Sequence, residues 1–311
     1  MALISDIMSE MAFEPLTDDN CQEVYEFCEQ ETRFWSVSLE DFKRLMLQDP
    51  EFRPELTLVA RQDGQLVGFL ASAPRKSIIG RKVNIKAIVV VELLRRKGLG
   101  TQLLRELITR VKALKFKKIQ VMEGPPLYWM PGLDLRHTPA LFLFRKNGFH
   151  KTLQRQNLII QLDAINPDAP PESELDNYAY ARATPAEKQE VVTYVQKHHG
   201  IGFWPAEVAM SFDRDPVTTF IARDKITGAL CGWATHSAHF VGSFGPTGVL
   251  KSLRGQGIGG ILLRWCMYDL KTTFCKDVMT ILWVETNTAR FYSKAVGAVI
   301  FPIFWLMSKR I

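Results

Sequence analysis

Cysteine is scarce in this sequence and poorly arranged for cross-linking. Its five residues (Cys21, Cys28, Cys231, Cys266, Cys275) are odd in number and show no CxxC spacing. That excludes a disulfide framework and a thiolate zinc site, and it fits reduced thiols in a cytoplasmic protein. No apolar run approaches the roughly 18 residues that a membrane helix needs, so no membrane association is expected. The first eleven residues carry Asp6 and Glu10 without a basic stretch, so they do not read as a signal peptide. His198 and His199 are adjacent at a helix end, and His236 and His239 stand three apart on a strand, pointing to opposite faces. Neither pair makes a metal site, and no metal is expected. Charge of one sign is in small excess, +6 over 311 residues, which gives no argument for a nucleic-acid partner. The phosphate-loop pattern GxxxxGK[ST] is absent.

What is present is one arrangement written twice. A cap at Thr17 to Asn20 and another at Ser38 to Asp41 start two helices. Strands are expected at 56–61 and 66–73 around the turn Gln62-Asp63-Gly64. A continuous apolar strand follows at 85–94, then a helix at 101–114 with Leu103, Leu104, Leu107, Ile108 and Val111 at helical spacing. A strand at 118–123, a short helix at 139–146 and a last strand at 157–162 complete the set. Residues 166–176 (NPDAPPESELD) are acidic, rich in proline and nearly free of apolar side chains, the composition of a linker. Beyond them the order restarts. Phe203-Trp204 answers Phe34-Trp35, Phe220 to Arg223 answers Leu58 to Arg61, and Leu230-Cys231-Gly232 answers Leu66-Val67-Gly68. The fold class expected is α/β, a mixed α+β sheet, duplicated as an N-terminal domain 1–165, a linker 166–176 and a C-terminal domain 177–311.

Each copy carries a glycine loop between its central strand and an amphipathic helix. The first is Arg95-Arg96-Lys97-Gly98-Leu99-Gly100 and the second is Arg254-Gly255-Gln256-Gly257-Ile258-Gly259-Gly260. Glycines let a backbone approach an anion, and a helix start offers N–H groups and partial positive charge. A dinucleotide GxGxxG can be read at Gly255, Gly257 and Gly260. The first copy breaks it, and a dinucleotide fold places that loop after its first strand. Both copies share Arg-x-x-Gly-x-Gly.

That shared pattern, in that place, resembles the acetyl-CoA pyrophosphate loop of the GNAT (GCN5-related N-acetyltransferase) family. The doubled element order is similar to tandem GNAT proteins, with the two-domain architecture of mycothiol synthase. The resemblance implies acetyl-CoA as cofactor. It would be bound by Arg95, Arg96, Lys97, Gly98, Leu99, Gly100 and Thr101 in the first copy, and by Arg254 through Gly260 in the second. Strand residues Val89, Val90 and Val91, and Val249 and Leu250, would pair with the pantetheine. It further implies an N-acetyltransferase in which a small-molecule primary amine attacks the thioester directly. The alternatives are a non-catalytic acyl-CoA-binding or sensing protein and a protein-lysine acetyltransferase.

The family's usual acid is a tyrosine four residues before a Gly-Phe-like pair on the helix after the fifth strand. Tyr292 stands five residues before Gly297, and strict counting lands on Ser293. In the first copy Phe144 holds the position and cannot donate a proton, so the C-terminal half is the expected catalytic one. Glu285 is the candidate base, with Glu123 its counterpart and Glu92 a third choice. The proline- and aromatic-rich stretch 125–137 could wall an acceptor pocket through Tyr128, Trp129, Asp134 and Arg136, or pack against the other domain.

Overall fold

The structure is a computed structural model. It describes residues 11–311 apart from 35, 36, 78, 79, 123, 126, 176 and 201. Glu123, one candidate base, therefore lies outside the described residues. The chain divides into two compact units, Met1–Arg155 with Phe304–Ile311, and Gln156–Ile303.

Unit 1 begins with β1 (Ala12–Glu14), α1 (Cys21–Glu31) and α2 (Leu39–Met46), then β2 (Thr57–Gln62), β3 (Gln65–Ser77) and β4 (Gly80–Val90). Next come α3 (Leu99–Ala113), β5 (Lys118–Val121), the two-residue β6 (Leu133–Asp134) and α4 (Thr138–Lys146); β7 (His150–Gln161) starts in this unit. Ser38 caps α2 by accepting from the Asp41 amide, as its sequence position predicts. β1 to β4 run antiparallel in chain order, whereas β4 and β5 pair in parallel. The core lies between this sheet and α3, whose Leu103, Leu104, Leu107 and Val111 are fully buried on Leu58, Leu70 and Ile85. Each such leucine contributes about 1.5–3 kcal/mol by leaving water.

Unit 2 repeats the order. It holds β8 (Glu174–Leu175), β9 (Tyr178–Arg182), α5 (Lys188–His199), α6 (Trp204–Ser211), β10 (Thr219–Asp224), β11 (Leu230–His236) and β12 (Ser243–Val249). α7 (Ile258–Thr272), β13 (Val278–Val284) and α8 (Thr286–Val296) follow, and β14 (Val299–Arg310) starts here and ends in unit 1. Thr184 and Glu187 form the capping box read from the sequence. β12 and β13 are again the parallel pair.

The duplication is therefore present, but its boundaries differ from those expected. The division falls at Arg155/Gln156, not in 166–176, and the last eight residues belong to unit 1. The reason is an exchange of closing strands. Met307–Arg310 of β14 run antiparallel to β5, while Gln156–Gln161 of β7 run antiparallel to β13. Residues 166–175 are not a free linker either. Tyr268 donates to the Pro167 carbonyl (2.8 Å) and Trp265 Nε1 to that of Glu172 (3.0 Å), which straps the stretch along α7. Its composition gave no sign of this, because the anchors are backbone carbonyls.

Candidate active site

In each unit the parallel strand pair separates after a short register. β4 and β5 match from Val83↔Ile119 to Ile85↔Val121, and β12 and β13 match only at Ser243↔Thr280 and Phe244↔Ile281. Beyond that the inner edge of β4 or β12 is unpaired on one side, leaving a wedge. Each of β5 and β13 has a residue in the left-handed region just past its paired stretch, Met122 (φ 53°) directly after Val121 and Trp283 (φ 53°) two residues after Ile281.

The alternation of strand hydrogen bonds decides which backbone groups face the wedge. Val91 N–H donates to Val67 O and Leu250 N–H to Cys231 O, back toward the neighbouring strand. Val89 shares the orientation of Val91. Of the strand residues expected to meet the pantetheine, only Val90 and Val249 thus present N–H and C=O to the wedge; Val89, Val91 and Leu250 do not. By the same alternation Thr247 faces it, a position the sequence did not single out.

The two loops fold alike. Arg95 (φ −62°, ψ 146°) matches Arg254 (−67°, 148°), and Gly98 (φ 101°) matches Gly257 (φ 83°) as N-cap of α3 and α7. These left-handed caps turn the chain so that the first-turn amides point outward. Those of Leu99, Gly100, Ile258 and Gly259 have no partner inside the helix. The amides of Thr101 and Gly260 are used up on the Gly98 and Gly257 carbonyls, and that of Lys97 donates to Leu94 O. Thr101, Gly260 and Lys97 therefore offer no backbone donor, contrary to expectation. Each loop arginine works on the protein itself: Arg95 Nε donates to Val90 O (3.0 Å) and Arg254 Nε to Val249 O (3.3 Å), bracing the bend. Gln256 is fixed by the Tyr178 hydroxyl (2.7 Å).

The units differ around this shared frame. In unit 1 the point where β4 and β5 separate is lined by Tyr128, Trp129 and Met130 of the 125–137 stretch, and Leu127, Tyr128 and Trp129 are buried. The space left among Asn84, Lys86, Met122, Gly124 and Tyr128 is about 10 Å³. That is the lower limit for a single water. The stretch thus fills that end of unit 1 instead of walling an open acceptor pocket. Arg75 holds it by donating to Gly124 O (2.8 Å) and Leu127 O (3.1 Å), while Asp134 and Arg136 pair with each other (2.6 Å). Asp49, Arg75 and Lys86 form a buried ion cluster beneath. Burial acts to raise the Asp49 carboxyl, and Lys86 and Arg75 overcome it, holding it below its usual range. Burial brings Lys86 down to about 8, although Asp49 opposes this. The slot beside the loop is also narrow: a Cβ at Gly100 would stand 2.9 Å from Leu143 of α4.

In unit 2 a Cβ at Gly259 would meet nothing nearer than 3.6 Å. On α8, Tyr292 is buried against Phe244, whereas Ser293 is exposed. The helix therefore turns Tyr292 inward, and the residue found by strict counting faces solvent. Burial pushes the Tyr292 phenol up, so it stays protonated at neutral pH. Phe144, its counterpart, is fully buried against Phe149. Glu285 is the exposed N-cap residue of α8, and Glu92 is exposed at the end of β4. Among the described residues, no cluster of three or more His, Cys, Asp or Glu could hold a metal ion.

A split parallel pair with a glycine-capped helix start beside it is the fold expected from the sequence, and the comparisons agree on that fold. Residues 18–126 match the family model described as Acetyltransferase (GNAT) family. No curated protein matches the sequence. Among solved structures, a tandem GNAT protein from the clavulanic acid biosynthesis pathway superposes with a TM-score of 0.70 at 19% identity, covering 97% of this chain and 98% of that one. A GCN5-related N-acetyltransferase from Sphaerobacter thermophilus gives 0.68 at 16%, covering 96% and 95%. The GCN5-related glucosamine N-acetyltransferase region of a fungal multi-domain GH3 β-N-acetylglucosaminidase gives 0.72 at 18%; this chain is 97% covered but spans only 38% of that one. The family match thus lies within unit 1, and the chain as a whole has the fold of these GNAT structures, with two such units in tandem.

Proposed function

We propose that the chain is an acetyl-CoA-dependent N-acetyltransferase acting on a primary amine of a small molecule, with unit 2 as its catalytic half. The observation that carries this is the contrast between the wedges: unit 2 pairs an uncrowded glycine loop with an inward tyrosine, and unit 1 pairs a filled wedge with Phe144. The unit 2 residues fit the cofactor. The outward amides of Ile258 and Gly259 at the positive end of α7 suit a pyrophosphate, and the wedge-facing edge of β12 at Thr247 and the Val249 N–H suits an amide chain. Bound acetyl-CoA supplies an activated acyl thioester. Tyr292, neutral and buried, donates the proton that a leaving thiolate needs. Glu285 offers a carboxylate open to solvent, so a proton reaching it passes through water. Unit 1 keeps the loop without the acid and is read as a supporting half that binds acyl-CoA or only completes the fold. The absence of bonded cysteine pairs among five free thiols suits the cytoplasm.

The test is thiol release from acetyl-CoA across a panel of primary amines. Tyr292→Phe, which keeps the ring packing, should lower kcat by roughly 10²-fold or more with acetyl-CoA affinity unchanged. Turnover unaffected by Tyr292→Phe would remove the acid assignment, and turnover lost on filling the first loop instead of the second would move catalysis to unit 1.

A further inference from the structure

The last residue of the first long helix stands beside the loop arginine in both units, and the two units fill it differently. In unit 1 it is Glu31. Its carboxylate accepts from Arg95 Nη2 (2.9 Å) and from the Glu92 amide (2.7 Å), so its charge is spent on bracing the loop. In unit 2 the position holds His199 at the end of α5. Its side chain is buried at 7% exposure, and its Nε2 has no hydrogen-bond partner. The imidazole lies 4.6 Å from the Trp233 ring and 6.1 Å from that of Tyr194, with Trp204 6.2 Å from Trp233. Trp233 Nε1 and the Tyr194 hydroxyl are likewise buried without partners. Three unpartnered polar atoms in one aromatic cluster are rare in a native interior and mark a place where a ligand completes the bonding.

This cluster touches the strand that borders the wedge. A Cβ at Gly248 would stand 2.5 Å from the Trp233 ring and 3.0 Å from His199 Cε1, the carbon between the two ring nitrogens. The imidazole therefore lies against β12 one residue from Val249, on the face opposite α7.

We propose that His199 is the catalytic base of unit 2, its Nε2 taking the proton from a primary ammonium whose flat or apolar body is walled by Tyr194, Trp204 and Trp233. This rests on unit 2 being the acetyl-transferring half. The charged and titratable groups that act on the ring are Arg254 from the loop and His198 and Tyr194 on α5; α6, packed on α5, carries Glu207. Glu207 is buried, its carboxyl raised to about 8 by that burial, and it faces His239 at 3.6 Å. Burial first, then Arg254 and His198, hold His199 below its ordinary value, so the ring is neutral near pH 7 and Nε2 accepts when the proton sits on Nδ1. Aromatic faces attract a desolvated ammonium. In the step, one ammonium N–H proton passes to His199, the amine nitrogen bonds the acyl carbon and gives up its second extra proton, and the carbon–sulfur bond breaks. The thiolate takes the Tyr292 proton; the second nitrogen proton restores Tyr292 and His199 returns the first to solvent, for a net release of one proton.

The experiment measures acetyl-CoA thiol release with benzylamine, phenethylamine and tyramine from pH 6 to 10, for wild type and His199→Gln. His199→Gln should lose about 10²-fold or more in kcat/KM at pH 7. The loss should shrink as pH passes the amine's own pKa, where solvent has already removed the proton, and free imidazole should restore part of the rate. Acetyl-CoA affinity should not change. A His199→Gln profile equal to wild type overturns the inference and leaves the acetyltransferase reading standing, as does a loss of equal size at every pH. No turnover by wild type on any amine, with acetyl-CoA bound, overturns both. As a check needing no variant, the wild-type His199 nitrogen resonances should report the Nδ1–H tautomer and move on adding benzylamine; no movement overturns the assignment.

Discussion

Gly257→Glu separates the two loops, and its consequences can be worked out from local geometry. Gly257 caps α7 at φ 83°, and a Cβ built there meets nothing within 4 Å. The fold therefore loses only what an L residue costs in the left-handed region, about 1–2 kcal/mol. A carboxylate at a helix N-terminus returns about 0.3–1 kcal/mol. The net, about 1 kcal/mol, lowers the melting temperature of a unit of this size by roughly 2–4 °C. Binding is affected far more. The carboxylate stands where the first-turn amides would meet a pyrophosphate. For two unit charges about 5 Å apart at an effective dielectric of 20, the repulsion is about 3 kcal/mol, roughly 10²-fold in affinity. Gly257→Ala has the same backbone cost without the returning charge, so it should lose about 1–2 kcal/mol, slightly more than Gly257→Glu, while keeping most of the affinity. Isothermal titration with acetyl-CoA reads the number of sites and their constants, and thiol release reads turnover. Gly98→Glu makes the equivalent change in unit 1 and should leave turnover intact. Wild-type affinity and rate in Gly257→Glu would refute the assignment of the second loop as the working pyrophosphate site.

Two further predictions concern buried charge. Burial raises the Glu207 carboxyl from an ordinary 4.5 to about 8, so the folded unit binds this proton more tightly than the unfolded chain. Its effect on stability is absent below the unfolded value and grows more unfavourable as pH rises from about 4.5 to about 8. Glu207→Gln should therefore melt like wild type at pH 4 and several degrees higher at pH 8; equal melting at both pH values would contradict it. Asp49→Ala leaves Lys86 and Arg75 buried without their counter-charge and should cost unit 1 about 3–5 kcal/mol in denaturant unfolding. Because the Asp49 carboxyl is held low, its stabilisation is present above its unfolded value of 3.8 and is lost as pH falls below that.

The element order, the duplication and the two loops were legible in the sequence because each is a local pattern. Helical spacing in Leu103, Leu104, Leu107 and Val111 and the glycines of Arg-x-x-Gly-x-Gly act over one or two turns of chain. The closing strands were not legible. β7 and the end of β14 are similar alternating strands, and either would satisfy either sheet as far as composition goes. Tyr292 is an intermediate case. Counting back from Gly297 pointed to Ser293, and only the rotation of α8, set by packing on Phe244, turned Tyr292 inward.

His199 shows the limit most clearly. As a residue before Gly200 it reads as a helix-end cation suited to the dipole. Its unpartnered nitrogen, its contact with Gly248 and its correspondence to Glu31 appear only when α5, β11 and β12 are brought together. The sequence alone determined a doubled GNAT fold and its two glycine-capped helix starts, because periodicity and backbone freedom are properties of neighbouring residues. The tertiary structure decided which loop is crowded by its neighbouring helix, which strand completes which sheet and that Tyr292 and His199 are buried. Those depend on packing between elements far apart in the chain, whose spacing no local pattern records.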